Sequence, residues 1–156
     1  MGKLLLNTST IFFIEKRRML NMNQTKALFY SMGTLLLLVA IGAIPAGIGF
    51  ISKPDGSNLS MSVNLLKDSP FKDFLIPGIL LLTIHGLGSL LGSFLSFKHH
   101  SFAITVTLVL GFAMVVWIVA QVYWLGLKSI LQPTFFVVGV IEIILGLVMY
   151  KKKLGN

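Results

Sequence analysis

No cysteine occurs in the 156 residues. Disulfides, thiolate metal sites and cysteine nucleophiles are therefore excluded together. Charge is nearly as scarce: 12% of the residues are Asp, Glu, Lys or Arg, against roughly 25% in a soluble domain. A surface so poor in charge cannot be solvated by water, so lipid must cover much of it. No glycine-rich nucleotide loop and no zinc-protease motif occurs. What fills the chain instead is apolar: 55% of residues are hydrophobic, and the mean hydropathy is +0.89. A formal charge of +8 could point to nucleic acid. The basic residues, however, sit in short runs beside apolar segments, which is membrane-protein usage and gives no nucleic-acid partner.

A bilayer core about 30 Å thick needs about 20 helical residues. Four stretches meet that length: 27–51, 74–97, 102–127 and 129–150. Backbone groups in hydrocarbon must bond internally, so each is expected as an α-helix. The runs do not alternate as barrel strands do. The expected fold is all-α, an integral membrane bundle of four transmembrane helices. It is flanked by an N-terminal segment, 1–26, and a basic tail, 151–156. An outer loop, 52–73, joins the first two spans. Nine Lys and Arg fall on the side of the termini and four on the other. The positive-inside rule therefore puts both termini in the cytoplasm. The stretch before Met22 has two readings. It is a dispensable lead with the true start at Met19 or Met22, or a short interfacial helix with Phe12 and Phe13 in the headgroups.

In the outer loop, KPDGSN (53–58) is a turn sequence. In LSMSVNL (59–65) apolar and polar residues alternate strictly, which predicts an extended segment with one apolar face. Ser69 reads as an N-cap with Pro70 at the first helical position and Asp73 in the first turns. Pro77-Gly78 predicts a kink or a split. The prolines (Pro45, Pro54, Pro70, Pro77, Pro133) all fall in the outer half or outside it. Either they mark helix ends or they open an outer vestibule. KHHS (98–101) reads as a solvated cytoplasmic turn without metal-ligand spacing. KKK (151–153) reads as a stop signal with weak attraction to anionic lipid.

Small residues recur at helical spacing: Gly88 and Gly92, Gly42 and Ala46, Gly139 and Gly146. Such pairs let helices approach closely in lipid. They serve packing inside one bundle or a homodimer seam on the second helix.

Two ionisable residues lie inside spans, His85 and Glu142, at similar depth. An isolated charge at the bilayer centre costs at least about 2.5–3.5 kcal/mol. Three readings stay open: a structural His85–Glu142 hydrogen bond, a Glu142 held neutral by desolvation, or a proton- or ion-handling site. On the third helix Trp117, Gln121 and Trp124 share a face. Trp117 lies about 10 Å deeper than Trp124 at about 1.5 Å per residue. With Gln132 and Asp73 they make a candidate outward-facing polar and aromatic pocket.

The motifs SPFKDFLIPG (69–78), WIVAQ (117–121) and LQPTFFVVG (131–139), with the glycine-rich helix between them, resemble small bacterial four-span membrane proteins of unassigned function. The resemblance covers about residues 27–150. It implies a multi-pass protein of the bacterial cytoplasmic membrane and carries no activity. The leading expectation is a non-enzymatic interaction or accessory protein. It would meet membrane lipids, with a second copy or another membrane protein as partner, and need no cofactor or metal. A transporter or channel subunit using His85 and Glu142 is the second. A lipid- or quinone-binding protein or enzyme with an outward-facing pocket is the third. A polar path from the pocket to Glu142 would favour transport, a packed interior the accessory role, and a lateral opening a lipid ligand.

Overall fold

The computed structural model describes residues 8–154, which form helices and turns with no strand among them. Four helices are long and apolar enough to cross a membrane, the architecture of a multi-pass membrane protein. They are α1 (Thr8–Ser52), α2 (Leu75–Phe97), α3 (Phe102–Leu125) and α4 (Leu131–Leu154). Packing follows chain order around a ring: α1 on α2, α2 on α3, α3 on α4, and α4 back on α1. Helices α2 and α4 therefore stand across the ring from each other. Lys152 Nζ donates to Gln24 Oε1 at 3.0 Å, so the first and last helices meet at one end, the terminal end. At the other, the loop end, Phe71 of the long connection meets Trp124 edge-on with ring centroids 6.3 Å apart.

The first helix departs most from the sequence reading. It does not begin near residue 27 but runs unbroken from Thr8. Neither Gly nor Pro occurs from Thr8 to Met32, and the charges of Glu15, Lys16, Arg17 and Arg18 end a span without ending a helix. Its 45 residues reach about 67 Å at about 1.5 Å each, more than twice the hydrocarbon core. Residues 10–23 are exposed on all sides and stand clear of the bundle.

The terminal half is packed. Phe29, Met32, Ala103, Ile104 and Met149 form one core there. Higher up, Val39, Met114 and Ile118 form a second, with Trp117, Phe135 and Val138 against it. Two glycines let α3 and α4 touch backbone to backbone. A Cβ on Gly111 would lie 2.8 Å from the Gly139 oxygen, and one on Gly139 3.0 Å from the Gly111 oxygen. The stripe on α2 is also used inside the bundle. Cβ atoms on Gly88 and Gly92 would meet Leu110 of α3 at 3.1 and 3.4 Å.

Helix α2 is irregular just past Pro77-Gly78, but not as the expected kink or split. Leu81–Gly88 winds as a π-helix with i→i+5 bonds. The wider turn keeps residues four apart in straight rows. Pro77, Leu81 and His85 make one row, and Gly78, Leu82 and Gly86 a second against α1. Pro77 lies inside the first turn of α2 and does not split it.

The connection differs too. Residues 59–65 are not extended: 3₁₀ turns form at Ser57–Leu59 and Val63–Leu66. Positive φ at Gly56 (82°) and Ser60 (54°) turns the chain, and Ser62 accepts from the Asn64 N–H. The Asp55 carboxylate accepts from the Ser57 N–H at 2.9 Å, and that bond holds its pKa below the ordinary carboxylate value. Ser69 does not cap a helix. Its hydroxyl donates to the Leu66 carbonyl, while α2 begins at Leu75, whose N–H bonds to Asp73 Oδ1 at 2.9 Å.

Candidate functional site

At the loop end the four helices splay around a cavity of about 690 Å³. Helix α1 contributes Val39, Gly42, Ala43, Ala46 and Phe50. These fall on one side because the spacing repeats every three or four residues. Row 77/81/85 of α2 faces them. Helix α3 gives Trp117, Gln121 and Trp124, and α4 gives Leu131, Gln132 and Phe135. The long connection folds over the top with Leu59, Met61, Leu65 and Phe71. So Leu59, Met61 and Leu65 lie over the helix tops, although the backbone is turned rather than extended. Phe74 is stacked on Phe50 with centroids 4.8 Å apart, and its N–H donates to the Pro54 carbonyl at 2.9 Å. Those contacts pin the lid at both of its ends.

The cavity is open sideways at Gly42. This residue is exposed, lines the cavity and sits on the side of α1 that turns toward α4. A Cβ placed on it would meet nothing within 4 Å. Helices α1 and α4 meet at the terminal end, where Phe29, Met32 and Met149 share one core.

Of the residues that the sequence grouped as an outer pocket, Trp117, Gln121 and Gln132 line this cavity together. Asp73 does not line it, because its carboxylate is turned to the start of α2. Gln132 lines the wall, but its polar atoms are spent on the 126–130 turn. Its Oε1 accepts from the Lys128 and Ser129 N–H groups at 2.8 and 3.3 Å, and its Nε2 donates to the Gly126 carbonyl at 3.1 Å. The polar side chains that can meet a guest include Gln121 and, at the mouth, Lys128. His85 adds a third at the inner end, its ring centroid 6.2 Å from that of Trp117. The sequence reading did not place His85 in the pocket, because the π-helical turn that aims it there has no sequence signature.

His85 and Glu142 do not form the hydrogen bond that their depth suggested. His85 Nδ1 and both Glu142 carboxylate oxygens have no hydrogen-bond partner. The physical reason is the ring order, which puts α2 and α4 on opposite corners. Glu142 points into the α3–α4 contact, with its Cβ 2.8 Å from where a Cβ on Gly111 would be. It does not line the cavity. No group of three or more His, Asp or Glu side chains able to hold a metal occurs among the described residues.

The arrangement can enclose an apolar chain and hold a small polar group at its mouth. Compared with known proteins, the chain matches no protein-family model, no curated protein and no solved structure.

Proposed function

We propose that this chain is a non-enzymatic multi-pass membrane protein that takes an amphiphilic, lipid-class molecule from the bilayer into the cavity. The observation that carries this is a cavity of about 690 Å³ whose wall is almost wholly apolar and whose side is open at Gly42. Ligand pockets are typically about 300–1,000 Å³, mostly apolar, with a few placed polar groups. The bilayer supplies such molecules at high local concentration directly at a lateral opening. Lys128 and Gln121 at the loop end suit a polar or anionic headgroup, and the Trp117, Leu81 and Met114 walls suit the chain. Conduction fits less well. The polar lining ends at His85, and Glu142 is sealed off from it. On the positive-inside rule the cavity opens on the outer leaflet, in this reading the outer leaflet of a bacterial cytoplasmic membrane.

The test is lipid analysis of the protein purified in mild detergent, by native mass spectrometry and extraction. An amphiphile should co-purify in simple ratio to the wild type, enriched over the bulk extract. Gly42→Leu puts a side chain into the opening without a clash, so its occupancy should fall by about tenfold or more, which is about 1.4 kcal/mol. Bulk lipid composition in the wild type, or equal occupancy in Gly42→Leu, sinks the reading.

A further inference from the structure

Most buried polar side chains in the bundle are satisfied. Ser93 donates to the Gly33 carbonyl, Ser96 to Gly92 and Thr107 to Ala103, each at 2.8 Å. Gln132 is spent on its turn. Ser89 Oγ, His85 Nδ1 and both oxygens of Glu142 have no partner. Of these three residues, His85 alone lines the cavity. It is 2% exposed, and a buried polar side chain without a partner is costly to keep. The turn that carries it is π-helical, a conformation that is rare and concentrates at functional sites.

A neutral imidazole carries one N–H and one bare nitrogen. His85 Nδ1 is sealed and has no acceptor beside it, so the proton belongs on Nε2. The ring meets the cavity by that other edge, next to Trp117, with the two ring centroids 6.2 Å apart. Around this donor the inner end of the cavity is apolar. Val39, Met114 and Ile118 line it and pack as one core against Trp117, and Leu81 lies one turn above His85. No Asp or Glu lines the cavity, so no carboxylate of the protein is there to accept the proton.

We propose that His85 selects the guest by donating to an oxygen on its buried part. The ligand class is then an amphiphile with a polar or anionic head and a second acceptor, a carbonyl or hydroxyl oxygen, within its apolar part. This rests on the lipid reading of the cavity and narrows it.

The fold sets the spacing of the two groups. Lys128 and Gln121 hold the head at the loop end, where Trp124 also lines the cavity. Trp117, beside His85, lies about 10 Å deeper than Trp124 at about 1.5 Å per residue. The second oxygen therefore belongs about 10 Å into the chain. A plain acyl chain leaves the Nε2–H unmet, whereas a chain with an oxygen at that depth meets it. The apolar wall holds both kinds of chain, so His85 decides between guests and does not by itself bind them.

The experiment uses two probes, stearate and a stearate carrying a ketone at mid-chain. Their affinities for the full chain in lipid nanodiscs are read by tryptophan fluorescence, to which Trp117 beside the site contributes. The wild type should prefer the ketone by about tenfold, equal to about 1.4 kcal/mol. His85→Leu should lose that preference and keep its affinity for stearate, which shows the cavity intact. His85→Gln, which keeps a donor, should retain part of the preference. In the infrared, the bound ketone stretch should lie lower in the wild type than in His85→Leu, the mark of an accepted hydrogen bond that packing alone does not give. Where His85→Leu does not fold, the wild-type band decides: a ketone stretch at its apolar-solvent frequency overturns the proposal. Equal affinity of the wild type for both probes, or a preference that survives in folded His85→Leu, overturns it too and leaves the lipid reading standing. If neither probe binds, the proposal also falls, and the lipid reading is decided by co-purification and Gly42→Leu alone.

Discussion

Gln132 shows how a residue type can be read correctly for place and wrongly for role. Its position as the second residue of α4 puts it at the cavity wall, but three hydrogen bonds commit it to the preceding turn. Sequence cannot tell a free amide from a committed one, because the commitment depends on which N–H groups the turn presents. Asp73 is the same case: its role as an acceptor for the Leu75 N–H follows from where α2 starts, two residues on. Gln132→Leu leaves two N–H groups and one carbonyl without their partner. It should destabilise the protein by about 1–3 kcal/mol. Gln132→Glu keeps the acceptor and loses the donor, so it should fall between. Thermal unfolding in detergent measures both, and an unchanged midpoint in Gln132→Leu would mean that the turn holds itself.

At the level of the element, the spans were legible because long uncharged apolar runs have one solution in lipid. Their ends were less so. The 8–26 stretch reads as separate because charge marks the edge of a membrane, yet helix continuity depends on Gly and Pro, which this stretch lacks. The π-helical turn was invisible, since its residues LLTIHGLG are ordinary helix formers and glycines in a membrane context. The partners of the glycines were also hidden, because spacing shows a stripe and not what lies across it. The two kinds of glycine now separate. Gly139→Leu drives a side chain against the Gly111 backbone, which cannot yield. It should cost about 3 kcal/mol, the upper end for overpacking. Gly42→Leu should be neutral or stabilising, because it meets open space and removes a helical glycine worth about 0.5–1 kcal/mol. Equal losses in a paired thermal-stability measurement would contradict this assignment.

Over the whole molecule, the packed terminal half and the hollow loop half set a polarity along the membrane normal. Which end faces outward follows from the basic residues beside the spans. Cysteines placed at Ser57 and Asn64 should react with an impermeant reagent on intact cells, and one at Lys153 should react only after lysis. The opposite pattern would turn the cavity to the inner leaflet and move the source of its amphiphile with it.

The ring order has a mechanical result. Three of its four contacts are bridged by a connection: α1 to α2 by residues 53–74, α2 to α3 by 98–101, and α3 to α4 by 126–130. The fourth joins the first helix to the last, and no chain crosses it. Gly42 opens on that contact. The gap can therefore widen by α1 tilting away from α4 about their meeting point near Gln24 and Lys152, with no loop stretched and no backbone bond broken. On the proposed reading, a bulky guest would be admitted by a hinge that the order of the helices already provides.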